Sequence, residues 1–411
     1  MRRLLTWAGA LLIIAACREL PPKELSMPEF TGFAAEVSTE AAVITVSHKG
    51  DYGIVDAGIL LGTDRIPAET RESGRFTVSV SDLEPATTYT YKAFISSGLQ
   101  EIFSTEQSFT TDEKPVAVIV EGSTVTVHVE NNLKALLAEY DCDPAGITHL
   151  ILTGTMVRAD FDFIRSRMPQ LESVDLRETE VTELPNLAFY GMYALTRALL
   201  PDAVTKIGND AFAETGLTSF HFPESLQTLG EGVFYMCQGL TGELKLPAGL
   251  IEIGPRAFEQ AGYRGDLRIP DSVTIIGEMA FWCTGMDGKL TLGKNLEEIG
   301  QGAFNENSFT GEIVIPDKIT EIRENTFGGF GQKYTKVVLP ANLRSIRTGA
   351  FMVLDNLKEV VCKAAEPPVV DEGAFYGDFP KDMTLRVPAE AIPQYQEAEG
   401  WKVFGSILPL E

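Results

Sequence analysis

Four histidines (His48, His128, His149 and His221) and four cysteines (Cys142, Cys237, Cys283 and Cys362) carry the widest chemical repertoire beyond the amino-terminal segment. The histidines lie far apart, and none has a partner at the spacing that puts two ligands on one metal ion. No two cysteines form C-x-x-C, so neither a zinc site nor thioredoxin-like redox chemistry is indicated. A phosphate-cradling G-x-x-x-x-G-K-[ST] loop, a G-x-S-x-G nucleophile elbow and an H-E-x-x-H helix are all missing from the sequence. Glu297 and Glu298 are adjacent carboxylates in "NLEEIG", a pattern that reads as a solvated turn and not as the separated pair of a glycosidase. The sequence therefore points away from an enzyme, and no metal or cofactor is expected.

Charge excludes more. Asp and Glu number 58 against 34 Lys and Arg, a formal net charge of −24. Nucleic acid needs a basic footprint, and anionic lipid would repel such a surface. The same charge keeps an exposed protein soluble.

What positions the side chains is a repeat. A proline, an apolar residue six places on and a phenylalanine five places further recur as Pro201-Ile207-Phe212, Pro223-Leu229-Phe234, Pro247-Ile253-Phe258, Pro270-Ile276-Phe281, Pro316-Ile322-Phe327 and Pro340-Ile346-Phe351. Gly293-Ile299-Phe304 keeps the spacing with glycine first, and Phe189 and Phe375 mark weaker copies at the ends. The arc from Pro to Phe never changes length. All variation falls between each Phe and the next Pro. A residue stacked on its own copy cannot slip, whereas an outer loop gains or loses a residue cheaply. The phenylalanines Phe212, Phe234, Phe258, Phe281, Phe304, Phe327 and Phe351 are therefore expected to be structural core. "ELKLP", "DLRIP", "EIVIP" and "KVVLP" read as a short strand in every coil, alternating inward and outward and ended by a proline with no N–H to donate. Gly242, Gly265, Gly288 and Gly311 are each expected to supply a positive-φ turn before the strand. Cys237 and Cys283 fall in nearly equivalent places two coils apart, roughly 10 Å at the spacing of stacked strands. A disulfide needs Cα atoms within about 7 Å, so buried free thiols are expected.

A period of this length with one strand per unit is a leucine-rich-repeat signature. The pattern L-x-x-L-x-L-P-x-x-L-x-x-I-G-x-x-A-F resembles the BspA-like leucine-rich repeat of bacterial surface proteins over residues 115–411. "ITHLILTGTMVRADFDFIRSRMPQLESVDL" resembles the family's first, capping repeat and "GWKVFGSI" its closing end. Arg323 and Arg347 depart from the pattern by replacing glycine after the isoleucine, which predicts slightly altered turns there. The resemblance implies a right-handed solenoid with a role in adhesion or protein recognition at the cell surface.

The remainder divides in three. "MRRLLTWAGALLIIAAC" has two arginines, an apolar run too short to span a membrane as a stable helix, and two alanines before Cys17. It reads as a secretory signal over 1–16, and "IAAC" resembles the bacterial lipobox, which implies lipidation of Cys17. An ordinary signal with an incidental cysteine is the alternative. Residues 17–29, with "PPKELSMPEF", read as an extended tether. From 30 to 112 the pattern alternates as strands in "AAVITVS", "GRFTVSVSDL", "TYTYKAFIS" and "EQSFTT", the spacing of a β-sandwich. Leu83, Pro85, Thr87 and Tyr89 form L-x-P-x-T-x-Y, which resembles the tyrosine corner of fibronectin type III domains, although the usual early core tryptophan is missing. Tyr89 is then a structural lock. The predicted fold is mainly β: a fibronectin type III-like sandwich followed by a leucine-rich-repeat solenoid.

Outward positions of the L-x-L-P segments align as two ladders. One holds Ser219, Glu243, Asp266, Lys289, Glu312 and Lys336; the other holds His221, Lys245, Arg268, Thr291, Val314 and Val338. Either these charges pair across neighbouring coils and keep the face wet, or they form a recognition surface. Lys245, Arg268, Lys289, Val314 and Val338 are the candidate ligand-binding residues. The expected protein is monomeric and non-catalytic. It is anchored to the cell envelope by lipid alone, at the outer membrane facing the exterior, and recognises an extracellular protein. Glycan binding and a scaffold role without soluble ligand are the alternatives.

Overall fold

A computed structural model describes residues 27–50, 53–113, 117–377 and 383–410. The signal segment and Cys17 lie outside the described residues, as does most of the tether. The chain divides into two compact units, with the boundary between Pro115 and Val116.

The first unit holds two antiparallel sheets. One contains β1 (Glu29–Val37), β2 (Ala42–Lys49), β5 (Thr70–Glu72) and β6 (Arg75–Val80), in the order β1-β2-β6-β5. The other has β3 (Asp56–Leu61), β4 (Asp64–Pro67), β7 (Thr88–Ser96), β8 (Glu101–Phe103) and β9 (Gln107–Thr110), with β8 and β9 both on β7. Ile44 and Val46 of β2 and Phe76 and Val78 of β6 share one core with Ile59 of β3 and Tyr91 and Ala93 of β7. That is the inward half of each alternating strand, removed from water on one face. Tyr89 stacks on Phe109 at 5.6 Å, and its hydroxyl accepts a 2.7 Å hydrogen bond from the Glu84 backbone N–H, tying the strand to the segment before it.

The second unit starts with β10 (Val118–Glu121), antiparallel to β11 (Thr124–Glu130). Thereafter every pairing is parallel, through β12 (His149–Thr155) and β13 (Ser173–Thr179) to Arg197–Leu199. Helices α1 (Leu133–Glu139) and α2 (Arg158–Arg167) close this end. The buried carboxylate of Asp160 accepts from the Leu133 N–H at 2.8 Å and the Val157 N–H at 2.9 Å, so one side chain satisfies donors at the starts of both helices.

From Phe189 onward each coil repeats one arc. The rings of Phe189, Phe212, Phe234, Phe258, Phe281, Phe304, Phe327, Phe351 and Phe375 form one continuous column, with centroids 5.1–5.7 Å apart and planes within 17°. These are offset-stacked contacts at buried positions. The backbone around them explains why the arc cannot change length. Met279 (φ +53°) and Cys283 (φ +54°) flank Phe281 in the left-handed region, and the other coils place residues there at the same two offsets. The alternation turns every second N–H toward the next coil: Met279 to the Gln301 carbonyl (2.9 Å), Phe281 to Ala303 (2.8 Å) and Cys283 to Asn305 (3.0 Å). A non-glycine residue in this region costs roughly 1–2 kcal/mol, and the inter-coil ladder offsets that cost.

Two ladders of very short strands flank the column. One runs through the isoleucine positions, Glu183–Leu184 to Glu298–Ile299 over six strands and then Glu321–Ile322 to Val369–Val370. The other follows the L-x-L-P segments, but not in every coil. Leu267–Arg268 pairs with Leu290–Thr291, and Thr310–Val314 begins a five-stranded sheet ending at Ser406–Pro409. Residues 219–222 and 243–246, expected as strands, form no strand and pair with no neighbour. In the first of these, Phe220 and Phe222 stand in place of the usual leucines and pack edge-on against Phe212, Phe234 and Phe258 at 4.8–6.4 Å.

Two further expectations are corrected. Gly265 and Gly311 have positive φ, but Gly242 and Gly288 do not. Gly288 is required instead by close approach, since a Cβ there would sit 2.2 Å from the Asp266 carboxylate. Cys283 is exposed, because it lies two residues after its phenylalanine, whereas buried Cys237 lies three after its own. At the departures from the repeat, Arg323 and Arg347 send their guanidinium groups back one coil, to Glu298 at 2.8 Å and Glu321 at 2.5 Å.

The far end is closed by α3 (Ile392–Glu397) and Trp401. The Trp401 indole N–H donates to the Pro368 carbonyl at 2.9 Å, and its ring meets Phe375, the last ring of the column, at 6.1 Å.

Candidate functional site

The L-x-L-P face is the candidate surface, and its side chains are set by strand alternation. Lys245, Arg268, Lys289 and Val314 are exposed, the valine at 50%. Val338 is not: it is 8% exposed. It points outward as the alternation requires, but Val314 lies directly opposite on one neighbouring strand and Val361 on the other. Three adjacent β-branched side chains shield the middle one, so Val338 contributes packing and not a contact surface.

The charges on this face fall into two groups. Toward the C-terminal end they pair: Lys336 reaches Glu359 at 3.1 Å and Glu312 at 4.0 Å, and Arg386 reaches Glu359 at 2.8 Å. The Arg386 guanidinium beside Glu359 holds that carboxyl below its usual range. In the middle coils pairing is sparse. Lys245 meets Glu243 at only 3.6 Å and largely in solvent. Arg268 and Lys289 make no ion pair within 4.0 Å among the described residues. The Asp266 carboxylate turns onto the backbone and accepts the Lys289 N–H at 2.7 Å, and its negative charge stays on this face. A groove of about 600 Å³ opens beside Lys245 and Arg268, and the carboxylates of Glu243, Asp266 and Asp271 line it too. A second, of about 400 Å³, opens beside Val314, with Lys294 and Lys363 at its rim.

The sequence reading missed a different edge. Tyr190, Tyr193, Tyr235 and Trp282 follow the repeat phenylalanines by one or four positions and so sit on the loops after the column. Tyr193 is 72% exposed. The Tyr190 and Tyr193 hydroxyls both donate to the Glu214 carboxylate, at 3.1 and 2.7 Å, and these hydrogen bonds raise both phenols above their ordinary range. Arg256 lies over the Tyr235 ring at 4.5 Å and pairs with nearly buried Glu259 at 2.5 Å. The only sequence signal for this edge is its offset from the column, because aromatic and non-aromatic residues alternate there without a fixed motif.

Glu297 and Glu298 are engaged in ion pairs with Lys318 and Arg323. Among the described residues, no group of three or more His, Cys, Asp or Glu could hold a metal ion. No helix among them is long and apolar enough to cross a membrane.

A stack of parallel-stranded coils with capped ends and an internal aromatic column defines a leucine-rich-repeat solenoid. The BspA type Leucine rich repeat region (6 copies) matches residues 162–241, 240–358 and 283–378, and the chain belongs to that family. Among solved structures, a leucine-rich repeat protein from Bacteroides ovatus is 15% identical, with 72% of this chain and 91% of that one covered at a TM-score of 0.41. A leucine rich cell surface protein from Faecalibacterium prausnitzii is 16% identical, with 78% and 93% covered at 0.32. The pneumococcal vaccine antigen PcpA is 16% identical, with 72% and 87% covered at 0.39. No curated protein matches the chain.

Proposed function

We propose that this is a surface-displayed, non-catalytic protein whose solenoid recognises an extracellular protein through the L-x-L-P face. The observation that carries the reading is the combination on one face of Arg268, without an ion pair and beside one groove, with an exposed apolar residue, Val314, beside another. Apolar contact supplies binding energy, and charge sets orientation and encounter rate. Family membership supports a recognition role, since BspA-type repeats are generally non-catalytic. Once a ligand is found by screening extracellular proteins and glycans, Lys245→Glu with Arg268→Glu should slow association in a salt-dependent way. Val314→Asp should mainly speed dissociation. If neither changes the kinetics, recognition lies on another surface.

Display would come from the remaining parts. The first unit serves as a fibronectin type III-like spacer, a reading supported by its two-sheet core and the Tyr89 hydroxyl bond to Glu84. Lipidation of Cys17 serves as the anchor, probed by Cys17→Ala: the variant should leave the membrane fraction, and its persistence there after a high-salt wash would exclude that anchor.

A second reading, glycan capture, is favoured by Tyr190, Tyr193, Tyr235 and Trp282 on the loop edge. The exposed rings of Tyr190 and Tyr193 beside the Glu214 carboxylate suit the apolar faces and hydroxyls of a sugar, with Tyr235 and Trp282 half-buried on the same edge. Loss of glycan binding in Tyr193→Ala with Trp282→Ala, with the cation variants unaffected, would select it.

A further inference from the structure

We infer that the loop edge at Tyr190, Tyr193, Asp210 and Glu214 takes an arginine side chain from a basic segment of an extracellular protein. This edge is a different surface from the L-x-L-P face and does not depend on recognition there. Tyr190 and Tyr235 each follow a column phenylalanine by one position, two coils apart, and Ala213 holds that place in the coil between them. In the coil after Tyr235, the residue two places before the phenylalanine is Arg256. Its guanidinium lies 4.5 Å over the Tyr235 ring and pairs with Glu259 at 2.5 Å. An aromatic face and a carboxylate on this edge thus already hold one guanidinium, supplied by the chain itself. In the coil after Tyr190 the corresponding residue is Asp210. A carboxylate replaces the arginine, and among the described residues no cation lies over the Tyr190 or Tyr193 ring. The acceptors are nevertheless in place. Glu214 takes both phenol hydroxyls, at 3.1 and 2.7 Å, so its carboxylate is fixed beside two exposed rings. A carboxylate has about four lone-pair sites, and the phenols use two of them.

Charge on this part of the edge has mainly one sign. Burial raises the Asp210 carboxyl, Glu231 and Glu214 raise it further, and Arg256 only partly opposes them. Arg165, which donates to the Leu187 carbonyl three residues before Tyr190, is paired with Asp162 at 2.7 Å. The net charge of −24 draws a basic ligand from a distance, in the same sense as the site. A guanidinium suits the site better than an ammonium. It is planar, stacks on a ring and presents parallel N–H groups to a carboxylate.

The test uses the full chain, with acetyl-triarginine amide as probe and acetyl-trilysine amide for comparison. The arginine peptide should bind more tightly than the lysine peptide, and rising salt should weaken both. Glu214→Gln should weaken arginine-peptide binding about tenfold. Tyr193→Ala, which changes no charge, should weaken it about two- to fivefold, and Tyr193→Phe, which keeps the ring face, by less. Glu372→Gln makes an equal change of charge at an exposed place in the Phe375 coil. It should alter binding by less than about twofold. Absence of binding overturns the inference. Equal losses in Glu214→Gln and Glu372→Gln also overturn it, since the peptide would then be attracted to the whole surface. Equal affinity for the two peptides overturns it as well. Binding of a neutral oligosaccharide that is lost in Tyr193→Ala, with no arginine-peptide binding, overturns it in favour of glycan capture.

Discussion

Phe281→Ala should destabilise the solenoid by about 3–5 kcal/mol, while Glu278→Ala, three residues earlier on the same arc, should leave the unfolding midpoint within error. The ring of Phe281 is fully buried and lies between two others, 5.1 Å from Phe258 and 5.5 Å from Phe304. Removing it opens a cavity that neither neighbour can fill, because each is fixed by its own stack and backbone ladder. Glu278 is exposed and bonds to the neighbouring coil only through its carbonyl, which accepts the Arg256 N–H and survives truncation. In a repeat stack the loss is felt at two interfaces, so the variant should also broaden the transition as the halves decouple. Thermal or urea unfolding of the two variants provides the measurement. Equal midpoints would mean that the column does not hold the coils together.

The second large effect is expected at Gly277. Its backbone lies so close to the preceding coil that a Cβ would meet the Pro255 nitrogen at 2.3 Å and the Gly254 carbonyl carbon at 2.6 Å. Both are main-chain atoms, so no rotamer change relieves the overlap, and Gly277→Ala should cost about 3 kcal/mol. Gly242→Ala is the matched control: no atom lies within 4 Å of its Cβ position and its φ is not positive. It should be neutral or slightly stabilising, because alanine has less chain entropy to lose on folding. If the two variants melt together, spacing between coils is set elsewhere.

These two positions show what a sequence can and cannot reveal about such a fold. The phenylalanine column was legible because stacking a residue on its own copy prohibits insertions and leaves a fixed interval in the chain. The left-handed residues were not, because the inter-coil hydrogen bonds override local preference and Met279 or Cys283 can occupy a place where glycine would be anticipated. The role of Gly288 was misassigned for a related reason: the need for a missing Cβ arose from Asp266 in the preceding coil, and not from the glycine's own turn. On the candidate face, alternation correctly placed Lys245, Arg268, Lys289 and Val314 outward. It could not show that Val338 is shielded, since that depends on valines 24 residues before and 23 after it. The aromatic edge stayed hidden because exposure of Tyr193 leaves no periodic mark.

The arc around most of the phenylalanines hands three N–H groups to the following coil, at the same places in the repeat, as in the Phe212, Phe234, Phe258, Phe281 and Phe327 coils. Any coil can therefore follow any other at this arc without a new interface being invented. Loss or duplication of one whole unit, from Phe258 to Phe281 for instance, closes the ladder again in step, while loss of half a unit leaves donors facing side chains. The length of the molecule is in effect a tally kept in whole numbers. Recombination between its own repeats can lengthen or shorten the displayed surface and shuffle the order of outward residues, while the interior remains indifferent to which coils are present.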